Sequence, residues 1–156
     1  LPTCRQGGSQ TCREEPQVRP IHTLRGIVGG STTELIFDND LRNVGWKIKE
    51  FYLWPDNMDA NNYVWAKLWQ GDDTQLNTST SQAGNNRCVA WAQSSGATPE
   101  SVATSIVDPN HIVTGELHIA SGSGDGVAYL IVLEQMALTT DQEIMALIKE
   151  RAQDDD

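Results

Sequence analysis

The sequence predicts an all-β fold: a β-sandwich or jelly-roll-like domain with an extended N-terminal arm and a short C-terminal amphipathic helix. Three observations carry that expectation. Short apolar runs separated by Gly, Pro, Asn and Asp clusters recur at a spacing that suits about eight strands. Only one segment, opening at Thr140, changes to a helical period. Residues 1–20 hold Pro2, Pro16, Pro20, Gly7 and Gly8 with little periodic apolar content, which reads as an arm. The expected division is therefore arm 1–20, β-domain 21–138, and helix with acidic tail 139–156.

The elements follow in order. Residues 21–28 and 33–38 flank Gly29-Gly30-Ser31, expected to be a hairpin turn because glycine accepts positive φ. Residues 45–54 place Trp46, Ile48, Tyr52 and Trp54 on one face and Lys47, Lys49, Phe51 and Leu53 on the other. The apolar character thus changes sides near Glu50, as where a strand bends or passes from core to interface. A turn region at 55–62 leads to a strand at 63–69, a polar loop at 77–86 and a strand at 87–92. Residues 94–101 read as small and polar, followed by a short strand at 103–107 and the turn Asp108-Pro-Asn110. Strands 111–120 and 127–135 are expected to form a hairpin through Ser121-Gly-Ser-Gly-Asp-Gly126. Val127 to Leu133 is apolar on both faces, so it needs cover from a second sheet and from either the terminal helix or another subunit. Thr140-Asp-Gln-Glu143 has the capping-box pattern, and Ile144, Leu147, Ile148 and Arg151 then share one helical face.

Charge narrows the function classes. The net charge is −10, yet residues 1–25 hold four arginines against two glutamates. The arm region is therefore +2, and the remaining seven basic and nineteen acidic residues make the body −12. Such a body repels phosphate, which argues against direct nucleic-acid binding. The arm suits an acidic surface, including a neighbouring copy. No apolar run approaches the roughly 18–20 residues that span a bilayer, so no membrane partner is expected. Leu1-Pro-Thr-Cys-Arg5 does not read as a signal peptide. Cys4 and Cys12 are close enough for a possible disulfide, and Cys88 reads as a buried thiol. No Cys or His spacing of the zinc type exists, so no metal is expected.

The chemical templates give little. There is no Gly-x-Ser-x-Gly elbow, phosphate loop or His-Glu-x-x-His. Glu116 and His118 share a strand face and could do acid–base work, although a solvated polar face explains them as well. His111 and His118 fall on opposite faces of the expected strand 111–120, and His22 carries no signal. The acidic pairs at Asp38/Asp40, Asp56/Asp59 and Asp72/Asp73 suit turns and match no calcium loop. The expectation is no enzyme and no cofactor.

The tryptophans are the sharper feature. Trp46, Trp54, Trp65, Trp69 and Trp91 lie on or beside three strands. Aromatics there serve a core, a subunit contact or a sugar platform. Candidate subunit or glycan contacts are Trp54, Tyr63, Trp65, Trp69, Tyr129, Ile131 and Leu133, with protein contact favoured.

Six stretches carry a resemblance. Asp108-Pro-Asn-His-Ile-Val-Thr-Gly-Glu-Leu-His-Ile119, the glycine-rich turn, Tyr129-Leu-Ile-Val-Leu-Glu134 and the terminal Thr-Asp-Gln-Glu resemble small virion structural proteins of environmental bacteriophages. Ile21-His-Thr-Leu-Arg-Gly26 and Trp46-Lys-Ile-Lys-Glu-Phe51 are similar in style. The resemblance spans about residues 21–151 and leaves out the arm. It implies a capsid, vertex or decoration subunit in a viral particle, a homo-oligomer whose partners are copies of itself and other virion proteins. The alternative is a carbohydrate- or receptor-binding β-sandwich that uses exposed tryptophans.

Overall fold

The computed structural model describes residues 21–57, 63–95 and 103–139. These form β1 (Ile21–Val28), β2 (Thr33–Asp38), β3 (Val44–Pro55), β4 (Tyr63–Gln70), β5 (Cys88–Ser95), β6 (Ala103–Val107), β7 (Glu116–Ser121) and β8 (Val127–Ala137). Among the described residues there is no helix, and the expected all-β class is what these residues adopt. The strands make two antiparallel sheets, a three-stranded one in the order β1-β8-β3 and a five-stranded one in the order β2-β7-β4-β5-β6. The arm at 1–20 with Cys4 and Cys12, and the helix expected from Thr140, lie outside the described residues.

Neither expected hairpin exists. β1 pairs with β8 and β2 with β7, so the Gly29–Ser31 turn carries the chain from one sheet to the other. Ser121–Gly126 does the same between β7 and β8. Two long stretches therefore run antiparallel and fold together over one corner. Glycine-rich connections serve such a corner as well as a hairpin, and strand periodicity names no partner. At the corner a Cβ on Gly30 would stand 2.5 Å from the Gly124 carbonyl oxygen, so only glycine fits. Ser31 takes φ 52° and its Oγ donates to the Ser123 carbonyl at 3.2 Å.

Two strand limits also move. β7 begins at Glu116, because residues 111–115 cross toward the other sheet, where Val113 and Trp46 exchange backbone hydrogen bonds of 2.8 and 2.9 Å. His111 therefore sits in the connection and not on a strand with His118. β5 runs on to Ser95, since Gln93, Ser94 and Ser95 pair with Trp65, Val64 and Tyr63. Backbone pairing there overrides a small, polar composition.

The change of face expected near Glu50 has a physical cause. Ile48 lies opposite Leu133 while Glu50 lies opposite Val132, so Lys49 is the extra residue of a β-bulge. Ile48, Phe51 and Leu53 thereby point into the core, and Tyr52 and Trp54 point out. The core lies between the sheets: Ile131 and Leu133 of β8 share it with Leu68 of β4 and with Leu117 and Ile119 of β7. Each such side chain contributes roughly 1.5–3 kcal/mol by leaving water. At one end Trp46 packs edge-on to Phe37 at 5.4 Å and to His22 at 5.9 Å. Asn39 holds this end together, accepting from the Trp46 indole at 3.3 Å and donating to the Val44 and Thr114 carbonyls.

Candidate functional site

The outer face of the five-stranded sheet carries the most elaborate surface. In β4 the residues of that face are Tyr63, Trp65, Lys67 and Trp69. The register sets Lys67 beside Trp91 of β5, which lies beside Ile106 of β6. The next row is Trp65, Gln93 and Thr104. The loop expected at 77–86 is present and most of its residues are exposed, and the segment between β4 and β5 that contains it also folds back over part of this face.

Lys67 is the staple. It has no exposure, and its Nζ donates to the Asn77 carbonyl, to the Thr80 carbonyl at 2.7 Å and to Gln82 Oε1 at 2.5 Å. Three acceptors match the three N–H bonds of an ammonium group. Gln82 adopts φ 50°, receives the Asn77 N–H at 2.8 Å and donates to the Gln75 carbonyl at 2.8 Å, so the flap is cross-braced. The Trp91 indole donates to the Ser81 carbonyl at 2.7 Å and the Trp69 indole to the Asp72 carbonyl at 2.7 Å. Burial lowers the Lys67 pKa, with the neighbouring Cys88 opposing. Burial likewise pushes the Cys88 thiol up to about 12, which Lys67 partly offsets. Cys88 is buried, as its apolar strand suggested.

Beside the flap an open groove of about 650 Å³ remains, lined by Trp65, Trp91, Gln93, Thr104, Ile106 and the flap's Ser79 and Ser81. Gly122 gives the Trp65 ring its resting place, since a Cβ there would stand 1.7 Å from Trp65 Cζ2. The Tyr63 hydroxyl hydrogen-bonds Gln93 Oε1 at the groove's end.

The outer face of the three-stranded sheet is a second surface, on the opposite side of the molecule. Its rows read Ile27, Ala128, Trp54, then Arg25, Leu130, Tyr52, then Thr23, Val132, Glu50. Ile27 is 57% exposed, Tyr52 46% and Trp54 36%. Nothing among the described residues covers it. The Tyr52 hydroxyl hydrogen-bonds the Glu50 carboxylate, which with that negative charge raises the tyrosine's pKa. Lys49 and Glu134 form an exposed ion pair of 3.3 Å at the far end, worth about 0–1 kcal/mol.

The seven residues singled out from the sequence therefore do not form one surface. Trp54 lies on the three-stranded sheet, whereas Tyr63 and Trp65 lie on the five-stranded one. Trp69 has no exposure, because the flap covers it. Tyr129, Ile131 and Leu133 point into the core, and the outward residues of β8 are Ala128, Leu130 and Val132. Those four are not contact residues in this fold. A strand apolar on both faces does not say which face is inward. Gly26 opposite Tyr129 was the available signal, since a Cβ there would meet the Tyr129 hydroxyl at 2.8 Å. Trp91, Gln93 and Lys67 were missed. The signal for Lys67 was a cation set between Trp65 and Trp69 on a strand otherwise apolar.

Glu116 and His118 share the outer face of β7 but no hydrogen bond joins them. His118 is buried, with Nδ1 lacking a hydrogen-bond partner among the described residues. The Asp72 carboxyl nearby is held below its ordinary range, first by the Thr74 hydroxyl and backbone N–H, then by Arg87 and His118. Among the described residues no three His, Cys, Asp or Glu side chains gather as metal ligands. No family model, curated protein or solved structure matches the chain.

Proposed function

We propose that the chain is a non-enzymatic structural subunit of a viral particle, a jelly-roll-like sandwich whose copies associate through the outer face of the three-stranded sheet. The observation that carries this reading is the row pattern of that face. A two-fold axis parallel to β8 would keep the rows and exchange β1 with β3. Arg25 would then lie over Tyr52 of the second copy, a cation on an aromatic face. Ile27 would lie over Trp54 of the second copy, and Leu130 and Val132 would meet their own equivalents. The face is thus self-complementary, as an isologous contact requires.

Size limits the strength of the contact. Eight residues of β1 at roughly 3.3 Å each, across three strands about 4.8 Å apart, give a footprint of roughly 400 Å². That is half of the approximately 800 Å² per partner of a standard interface. The face alone therefore supports a weak pair, and the 1–20 segment, with three arginines against two glutamates, adds attraction to an acidic neighbouring body. The resemblance of Asp108–Ile119 and Tyr129–Glu134 to phage virion proteins is what supports reading such a subunit as part of a shell, with other virion proteins as further partners.

Cross-linking tests the geometry. On a background with Cys4, Cys12 and Cys88 replaced by alanine, the double variant Ile27→Cys/Trp54→Cys should form a disulfide between copies. Within one copy the two positions stand two strand spacings apart, about 9–10 Å, beyond the reach of roughly 7 Å between bridged Cα atoms. Either single variant should stay uncross-linked. Cross-linking by the singles, or none by the double variant at high concentration, refutes the arrangement.

A further inference from the structure

We infer that the groove between Trp65 and Trp91 is a binding site for a neutral saccharide, distinct from the association face and on the opposite sheet. Its volume of about 650 Å³ lies within the roughly 300–1,000 Å³ typical of small-molecule sites.

Charge selects the class of ligand. None of the described lining residues is ionisable at neutral pH, in a chain of net charge −10. Lys67, the cation beside Trp91, is wholly buried and its three N–H bonds are taken. An anionic ligand would find no counter-charge and would face the field of an acidic body. A cationic ligand would find no carboxylate among the described residues of the groove. The ligand is therefore uncharged.

The lining selects further. Indole faces carry partial negative charge and attract the weakly positive C–H groups on one side of a pyranose ring. The Trp65 ring rests on Gly122, and the Trp91 ring is fixed by its hydrogen bond to the Ser81 carbonyl. Both rings are thus oriented before a ligand arrives, which reduces the ordering cost of binding. Around them stand the hydroxyls of Ser79, Ser81 and Thr104 and the carboxamide nitrogen of Gln93, whose oxygen accepts from Tyr63, as partners for sugar hydroxyls. The lining is chiefly apolar with a few polar groups, so a purely apolar ligand would use the rings and leave the hydroxyls unpaired. A sugar presents both an apolar face and an equatorial rim of hydroxyls.

Titration of the full chain with neutral hexasaccharides tests this, with tryptophan fluorescence and calorimetry as readouts. The panel comprises gluco-, manno-, galacto- and xylo-oligosaccharides, with sialylated and sulfated glycans as the charged arm. At least one neutral glycan should bind at a Kd of about 1 mM or tighter, and Trp65→Ala and Trp91→Ala should each weaken it by at least about tenfold. Ile106→Arg, at a position 59% exposed, should block the groove without disturbing the core. Trp54→Ala, on the other sheet, should bind normally. Absence of any neutral binder, binding confined to charged glycans, or binding that survives Ile106→Arg overturns the inference. Because Trp54 and the association face play no part, this outcome is independent of the subunit reading.

Discussion

Replacing Lys67 with methionine removes the ammonium and keeps the apolar stem. In the native protein that ammonium serves the Asn77 and Thr80 carbonyls and Gln82 Oε1. A hydrogen bond to a charged group is worth about 1.5–3 kcal/mol net, so three contribute roughly 5–9 kcal/mol. Burying the ion offsets several kcal/mol of that. Exchanging a whole buried ionic group for apolar residues is often neutral, but here only the donor is removed and its acceptors stay. The carbonyls regain partners only if the flap lifts into water. Lys67→Met should therefore lower stability to urea by about 2–4 kcal/mol. It should also expose the 77–82 segment to limited proteolysis before the sheets unfold, and release the Trp91 indole from Ser81. Urea unfolding followed by tryptophan fluorescence, with proteolysis and mass mapping, reads all three. An unchanged midpoint with the flap still protected would show that Lys67 is a passenger and that the flap is held by the remaining bonds, from the Trp91 indole and Cys88 thiol to the Ser81 carbonyl and from the Trp69 indole to the Asp72 carbonyl.

Two further outcomes follow from the same packing. Gly30→Ala should destabilise by at least about 2 kcal/mol, because the added Cβ meets backbone at the corner where both sheets begin, and backbone cannot rotate away. A Gly29→Ala control, where the nearest atom is the Thr32 hydroxyl at 3.3 Å, should lose less. The Cys88 thiol, raised from 9.0 to about 12, keeps its proton in the folded protein while the unfolded chain has lost it. Its contribution is complete below pH 9 and falls as pH rises toward 12, by at most roughly 4 kcal/mol at about 1.4 kcal/mol per pH unit. Comparing wild type with Cys88→Ala across that range isolates it, and a native thiol that reacts freely at pH 8 would contradict the burial.

What the sequence made legible was what local pattern encodes. Strand positions followed from period-2 runs and turn clusters, and even the bulge near Glu50 announced itself as an apolar face changing sides. Sheet membership did not, because Gly29–Ser31 and Ser121–Gly126 have hairpin composition yet serve a corner between sheets. The inward face of β8 was equally hidden, since both faces of Val127–Leu133 are apolar and only Gly26 across the strand pair breaks the tie. The flap was unreadable for another reason. Its bonds run from a strand lysine to backbone carbonyls 10 to 13 residues on, and carbonyl acceptors leave no mark on composition. Residues such as Trp69 therefore looked available when they are covered.

Association between copies is read most directly by sedimentation equilibrium of the full chain across a wide concentration range. The mass should rise from that of the 17.1 kDa chain toward two copies or more, and the double variant Tyr52→Glu/Trp54→Lys should remain at one copy while staying folded. A wild-type chain that stays at 17.1 kDa at millimolar concentration would contradict the proposed role of the three-stranded face.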